Sequence, residues 1–173
     1  MDYHDINHIL QALRDSQAEF HAVTKGLSEE QAHAKPAGDR WSVLDCVEHI
    51  AIVEGRVLDR LENPIMSPAP PADRAREDKM LADLVNRATR FQAPEGSRPA
   101  GRYATLAEAL AEFDAARART IAFAEKHGNG IYSISSVHPV FGPVNGGDTL
   151  CLAAAHSLRH ADQIRDVRAE LGV

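Results

Sequence analysis

Two histidines four residues apart, His156 and His160 in CLAAAHSLRHADQIRDVRAEL, are the pair in this chain whose type and spacing first suggest chemistry. On an α-helix, positions i and i+4 lie about 40° apart and about 6 Å along the axis, so both rings point the same way. Ala153, Ile164, Val167 and Leu171 share that direction, and they form the arc the helix turns toward a core. Two imidazoles carried inward cost on the order of a few kcal/mol unless each finds a partner. A single divalent ion satisfies both at once. Alternatively each His hydrogen-bonds a neighbouring helix or is only half buried, and an HxxxH pair alone does not distinguish these readings.

A metal needs a third ligand from another element. His49, in WSVLDCVEHIAIVE, stands in the middle of a second amphipathic stretch, at the flank of its apolar arc beside Cys46 and Val53. Such a residue either reaches across a cleft or sits as an ordinary boundary histidine. Two charges also fall where apolar residues are expected. Glu54 lies among Val47, Leu58 and Leu61, and Arg117 lies within the arc of Leu110, Phe113, Ile121 and Ala124. Unpaired burial of either is unfavourable. They pair with each other, or the Arg117 head snorkels to water, or Glu54 orients a ligand imidazole while Arg117 faces an anionic substrate group. Gln163 follows the histidine pair and is either a site contact or a helix-surface residue. His138 lines the mouth of a cleft or bonds its own loop. Cys46 is a fourth ligand, a redox-sensitive neighbour or a small buried thiol.

The elements that hold these residues follow from periodicity. Residues 5–27 carry Ile6, Ile9, Leu10, Leu13, Phe20, Thr24 and Leu27 at helical spacing, with Gly26 as a stop. His4 and His8 fall on the polar side. A connecting loop with Pro36, Gly38 and His33 follows. A second helix spans about 41–63, opened by a Ser42/Asp45 capping pair and ended by Pro64. A Pro- and Ala-rich linker leads to a short accessory helix over about 74–91, and APEGSRPAGRY reads as another loop. Thr105 caps a long helix to about residue 127. Residues 128–147 form an ordered loop with room for a short strand at 131–137. The last helix covers about 148–171. Four long helices around one core make an all-α four-helix bundle, read as one domain over 1–173.

Composition agrees. The 173 residues are 44% hydrophobic but only 5% aromatic, which favours helix packing over a sheet. Their number is enough for a core without a structural metal, so an ion here serves chemistry. The net charge of −6 and the lack of any long Lys/Arg run argue against nucleic acid as a partner. No apolar run is long enough for a bilayer and the N-terminus has no signal-peptide pattern, so a cytoplasmic protein is expected. Cys46 and Cys151 are expected as free thiols.

Taken in order, WSVLDCVEHIAIVE, PAGRY, YATLAEALAEFDAAR, HPVFG and HSLRHADQI resemble the DinB-like superfamily, the damage-inducible and YfiT-like four-helix metalloproteins. The shared features are a Trp-Ser helix start with a His seven residues after the Ser, a Pro-x-Gly-Arg connector, an HPxFG loop, and a final HxxxH followed by x-x-Gln-Ile. The resemblance spans nearly the whole chain. It implies a bundle with a long crossover connection and a metal held by His49, His156 and His160; histidine ligands suit zinc, nickel, copper or iron, and a divalent zinc or nickel ion is expected first. It also implies a small-molecule substrate and a homodimer. Members of the superfamily differ in activity: some transfer a low-molecular-weight thiol, one branch is a thiol-dependent isomerase, and others are regarded as metal-dependent hydrolases. The competing expectation is a non-catalytic bundle that binds metal or ligand.

Overall fold

The computed structural model describes residues 5–89 and 91–173; His4 lies outside the described residues. Four long helices carry the core: α1 (Ile6–Thr24), α3 (Val43–Glu62), α5 (Leu106–His127) and α6 (Gly146–Leu171). Two shorter helices, α2 (Glu29–His33) and α4 (Arg74–Val85), lie in the connections. Strands β1 (Ser135–His138) and β2 (Gly142–Asn145) pair antiparallel, Ser135 opposite Asn145 and His138 opposite Gly142. Among the described residues no helix is long and apolar enough to cross a membrane.

The helix starts are set by local hydrogen bonding. Ser42 and Asp45, Thr105 and Glu108, and Asn145 and Asp148 each form a reciprocal capping box, satisfying N–H groups that have no partner within the helix. The first helix stops at Thr24, two residues before the expected glycine, where the Thr24 hydroxyl bonds back to the carbonyls of Phe20 and His21.

Three connections depart from expectation. Helix α2 forms where a loop is predicted, because the Ser28/Gln31 capping box stabilises five residues, too few to show periodicity. The accessory helix ends at Val85 and not near 91. Beyond it, the carbonyls of Leu84, Asn86 and Thr89 all accept from the Arg159 guanidinium, which holds the chain in turns. The segment before α6 is a short 3-10 helix (Gly128–Ser133) and then a hairpin, so the strand lies at 135–138. Helix α6 also begins two residues earlier than predicted. It starts at two glycines because a Cβ at Gly146 would meet the Ile131 carbonyl at 2.3 Å, and one at Gly147 would meet the Tyr132 ring at 2.3 Å.

Packing gives the helix directions. One apolar layer joins Phe20 of α1, Val43–Ala51 residues of α3, Leu106 and Phe113 of α5, and Ile164 and Val167 of α6. The other joins Ile9 and Leu13 of α1, Val57 and Leu61 of α3, Ala124 of α5, and Leu150 of α6. The early part of α1 and of α6 therefore shares a layer with the late part of α3 and of α5. Helices α1 and α6 run one way, and α3 and α5 the other. Helix α1 packs on α5 and α6, as α3 does, so the chain visits the bundle across diagonals. Parallel neighbours α3 and α5 cannot be joined by a tight turn, which is why residues 63–105 form the long crossover with α4 on the α6 flank.

Between the two layers sits a polar knot. Arg117, 0% exposed, donates Nε and Nη2 to the two carboxylate oxygens of Glu54 at 2.7 and 3.0 Å. Its remaining N–H groups reach the Leu13 carbonyl at 2.6 Å, Ser16 Oγ at 2.9 Å and Ser157 Oγ at 2.9 Å. All five guanidinium donors are thus used, and all four long helices are joined.

Candidate metal centre

The cluster is built from one residue of α3 and two of α6, which pack side by side. His49 and His160 are 4% and 6% exposed, and His156 is partly buried beside them. The three Nε2 atoms converge: His49 to His156 is 3.4 Å and His160 to His156 is 3.1 Å, with all ligand atoms of the group within 4.8 Å of one another. Nitrogens bound at the usual zinc distance in a tetrahedron stand about 3.3 Å apart, so the spacing suits one ion shared by three imidazoles. No other group of His, Cys, Asp or Glu among the described residues does so.

Orientation comes from the crossover. His49 Nδ1 lies 2.6 Å from the Ser97 carbonyl, which only accepts, so Nδ1 carries the hydrogen and Nε2 presents its lone pair to the other rings. Ser97 ends a 3-10 turn (Glu95–Ser97), and the connector after it is latched by Glu48. That buried carboxylate accepts from the N–H groups of Ala100 at 2.6 Å and Arg102 at 3.1 Å. Neighbouring residues of α3 therefore divide the work: Glu48 fixes the connector, and the connector fixes His49. Trp41, just ahead of the helix, lies against two of the rings, 6.0 Å and nearly parallel to His160 and 5.0 Å from His49.

All three imidazoles are held neutral. Burial depresses each pKa; for His156 and His160 the neighbouring histidines add to it, and for His49 the Ser97 bond works against it while Arg56 adds to it. Neutral rings with free Nε2 lone pairs are the form that binds a cation. His160 Nδ1 is buried without a hydrogen-bond partner. Gln163 works against the depression of the His160 pKa, yet its side chain makes no well-formed bond to Nδ1.

The rings open on a cavity of about 480 Å³ whose wall includes Val53, Leu152, Phe91, Arg56, Arg60 and His138. Gln163 reaches this wall, but Glu54 and Arg117 do not. Their mutual pairing accounts for both charges, so neither orients an imidazole nor faces a substrate. His138 does both of the things considered for it: Nδ1 accepts from the N–H groups of Val140 and Phe141, and the ring lines the cavity. Cys46 and Cys151 are free, buried thiols with strongly raised pKa values; burial is the main cause and nearby carboxylates add to it. Cys46 is absent from the cavity wall. His8 and His33 are exposed.

The profile of the DinB superfamily matches residues 12–164. The chain belongs to the DinB superfamily. This DinB chain is 22% identical over 147 residues to the uncharacterised protein YuaE of Bacillus subtilis (strain 168), covering 85% of this chain and 89% of YuaE. Its fold is similar to that of YfiT from Bacillus subtilis, with a TM-score of 0.63 at 18% identity over 96% of this chain and 87% of that one. YfiT is described as a probable metal-dependent hydrolase with an unusual four-helix bundle topology. In the present DinB bundle, three neutral imidazoles on an accessible cavity form a donor set of the kind a divalent ion takes with a position left for a further ligand.

Spacing alone did not point to Ser97, Glu48, Trp41, Arg56 or Arg60 as parts of this site. The two arginines were within reach of the same angular reasoning, since they follow His49 by 7 and 11 residues on one face of α3.

Proposed function

We propose that this protein is a metal-dependent enzyme in which His49, His156 and His160 hold one divalent ion, zinc or nickel, and a small-molecule substrate occupies the adjoining cavity. The observation that carries this reading is the convergence of three neutral Nε2 atoms on that cavity. A divalent ion supplies Lewis acidity there, lowering the pKa of a thiol or water that reaches it. The protein's own contribution is to hold the imidazoles neutral, to orient His49 through Ser97, and to cover two rings with Trp41.

The cavity wall favours a thiol as nucleophile. Asp39 is its single carboxylate among the described residues, on an exposed stretch before α3, and Glu54 is fully engaged by Arg117. No carboxylate is therefore placed beside the histidines as a general base. On such an ion a thiol, with an ordinary pKa of about 8.5, would be deprotonated outright, whereas water would fall from about 15.7 only to about 7. Transfer of a low-molecular-weight thiol to an electrophile is accordingly the first reading. Hydrolysis is the second, supported by the description of YfiT.

Zinc- and nickel-loaded protein, tested against esters, amides and alkyl electrophiles with and without added low-molecular-weight thiols, checks this. Thiol-dependent turnover that disappears in His160→Ala is expected. Equal turnover in wild type and His160→Ala, or none with any electrophile, contradicts it.

A further inference from the structure

The cavity contains a second set of groups that the three histidines do not explain. Arg56 and Arg60 are half-buried on α3, and both line the cavity. Their placement 7 and 11 residues after His49 puts them within about 20° of its direction, running along the wall from the cluster. Neither makes an ion pair among the described residues, whereas Arg14, Arg40, Arg76, Arg87, Arg102 and Arg117 each meet a carboxylate. Arg60 Nε is buried without any hydrogen-bond partner. A buried unsatisfied guanidinium donor is uncommon, because losing water without replacement costs about 1–3 kcal/mol.

The other cations on the wall are already used. Arg40 is paired with Glu170, and Arg159 donates to three carbonyls behind the cavity. Arg56 is braced: its Nη2 lies over Gly96, where an added Cβ would stand 2.5 Å away. That contact is with the same 3-10 turn that orients His49. The hairpin adds His138 to the same cavity lining, with Nδ1 accepting from Val140 at 3.2 Å and Phe141 at 3.3 Å. An accepting Nδ1 in a neutral ring fixes the hydrogen on Nε2, on the ring's other side. Burial first, and Arg60 second, depress this pKa to about 4, so the ring is neutral in that tautomer at pH 7.

We propose that Arg56, Arg60 and His138 form an anion subsite that takes a carboxylate or phosphate group of the substrate or cosubstrate while its reactive end reaches the three histidines. Two forked guanidiniums one turn apart and one neutral N–H donor match an oxyanion with several acceptor oxygens. The site favours an anion over an uncharged ligand of the same size, because the uncharged ligand would displace water from the guanidinium donors without replacing its hydrogen bonds. What the bound molecule then undergoes rests on the metal-dependent reading above; the subsite itself does not.

The test is calorimetric titration of inorganic phosphate, and separately of succinate, into the full-length zinc-loaded protein and into Arg56→Gln, Arg60→Gln and His138→Asn. The asparagine amide oxygen retains the acceptor for Val140 and Phe141 and removes the Nε2 donor. Saturable binding of at least one anion at one site per chain is expected, weakened about tenfold or more by each arginine change and severalfold by His138→Asn, at unchanged zinc content. The anion that binds assigns the group as phosphate or carboxylate. Should a glutamine variant melt early, Arg60→Lys keeps the charge, loses the fork, and is expected to weaken binding by a smaller factor. No saturable binding of either anion, or affinities unchanged in the arginine variants, overturns the subsite. If His160→Ala leaves zinc content unchanged while the arginine variants still lose the anion, the metal reading fails and the subsite stands.

Discussion

Arg117 and His49 show how much of this protein rests on single polar side chains in buried places. Arg117 has every donor occupied, and Glu54 both oxygens, so removing either partner leaves a charge in the core with nothing to meet it. Arg117→Ala is expected to lower stability by about 3–5 kcal/mol in urea unfolding. The double change Glu54→Leu with Arg117→Met is expected to recover most of that loss, because it removes both desolvation penalties together. Recovery would place the pair among structural devices; failure to recover would give the bonds to Leu13, Ser16 and Ser157 a larger share. At His49 the relevant partner is a backbone carbonyl, so no substitution of Ser97 itself removes it. The latch can be removed instead. Glu48→Gln weakens the hold on Ala100 and Arg102, and the predicted result is a 10- to 100-fold loss of zinc affinity, about the range for lost outer contacts to a ligand histidine. Competition with a chromophoric chelator measures it, and unchanged affinity would show that the connector stays in place without its carboxylate.

Among the elements, helix starts and long amphipathic stretches were readable from sequence, and connections were not. Ser42, Thr105 and Pro64 mark boundaries that the structure places within two residues, because a cap or a proline acts on its own neighbours. The end of α4 depends on Arg159, more than 70 residues away, and the two glycines opening α6 depend on how closely Ile131 and Tyr132 approach. Neither dependence leaves a local pattern. The same distinction applies to the site. His156 and His160 share a helix, and their spacing was informative; the role of His49 rested on resemblance until the packing of α3 on α6 was seen. Glu54 and Arg117 were recognised as anomalous from position, but the choice between pairing and service to the site required the coordinates. Gly146→Ala tests the close approach at this scale. The added methyl is expected to displace the 3-10 turn at Ile131 and lower the melting temperature by several degrees, roughly the effect of about 1–3 kcal/mol of overpacking in a chain of this size. An unchanged melting temperature would mean that the turn moves freely.

For the molecule as a whole, burial of neutral histidines makes the metal-free protein sensitive to acid. His49, His138, His156 and His160 all have folded pKa values below the ordinary 6.5, with burial as the first cause in each. The unfolded chain takes up protons near pH 6.5 while the folded chain does not, so their contribution is intact above 6.5 and is lost as pH falls toward the folded values, about 4 for His138. Urea midpoints of the metal-free protein are expected to decline from pH 7 to pH 5, and less steeply in His138→Asn. A flat profile would mean that these rings are solvated in the folded state.

The order of the bundle, with α3 and α5 running parallel, bears directly on the site. It requires the crossover that brings Ser97 and the Gly96 turn onto the site, so topology and site geometry are coupled through residues 63–105. At the centre of the proposed function are three imidazoles sharing one ion. Zinc and nickel content of the purified protein, and of His49→Ala, His156→Ala and His160→Ala, measured by elemental analysis after dialysis, tests that most directly. Near one equivalent per chain in the wild type and near zero in each variant is predicted. Metal at background in the wild type, or a content that the three substitutions leave unchanged, would contradict it.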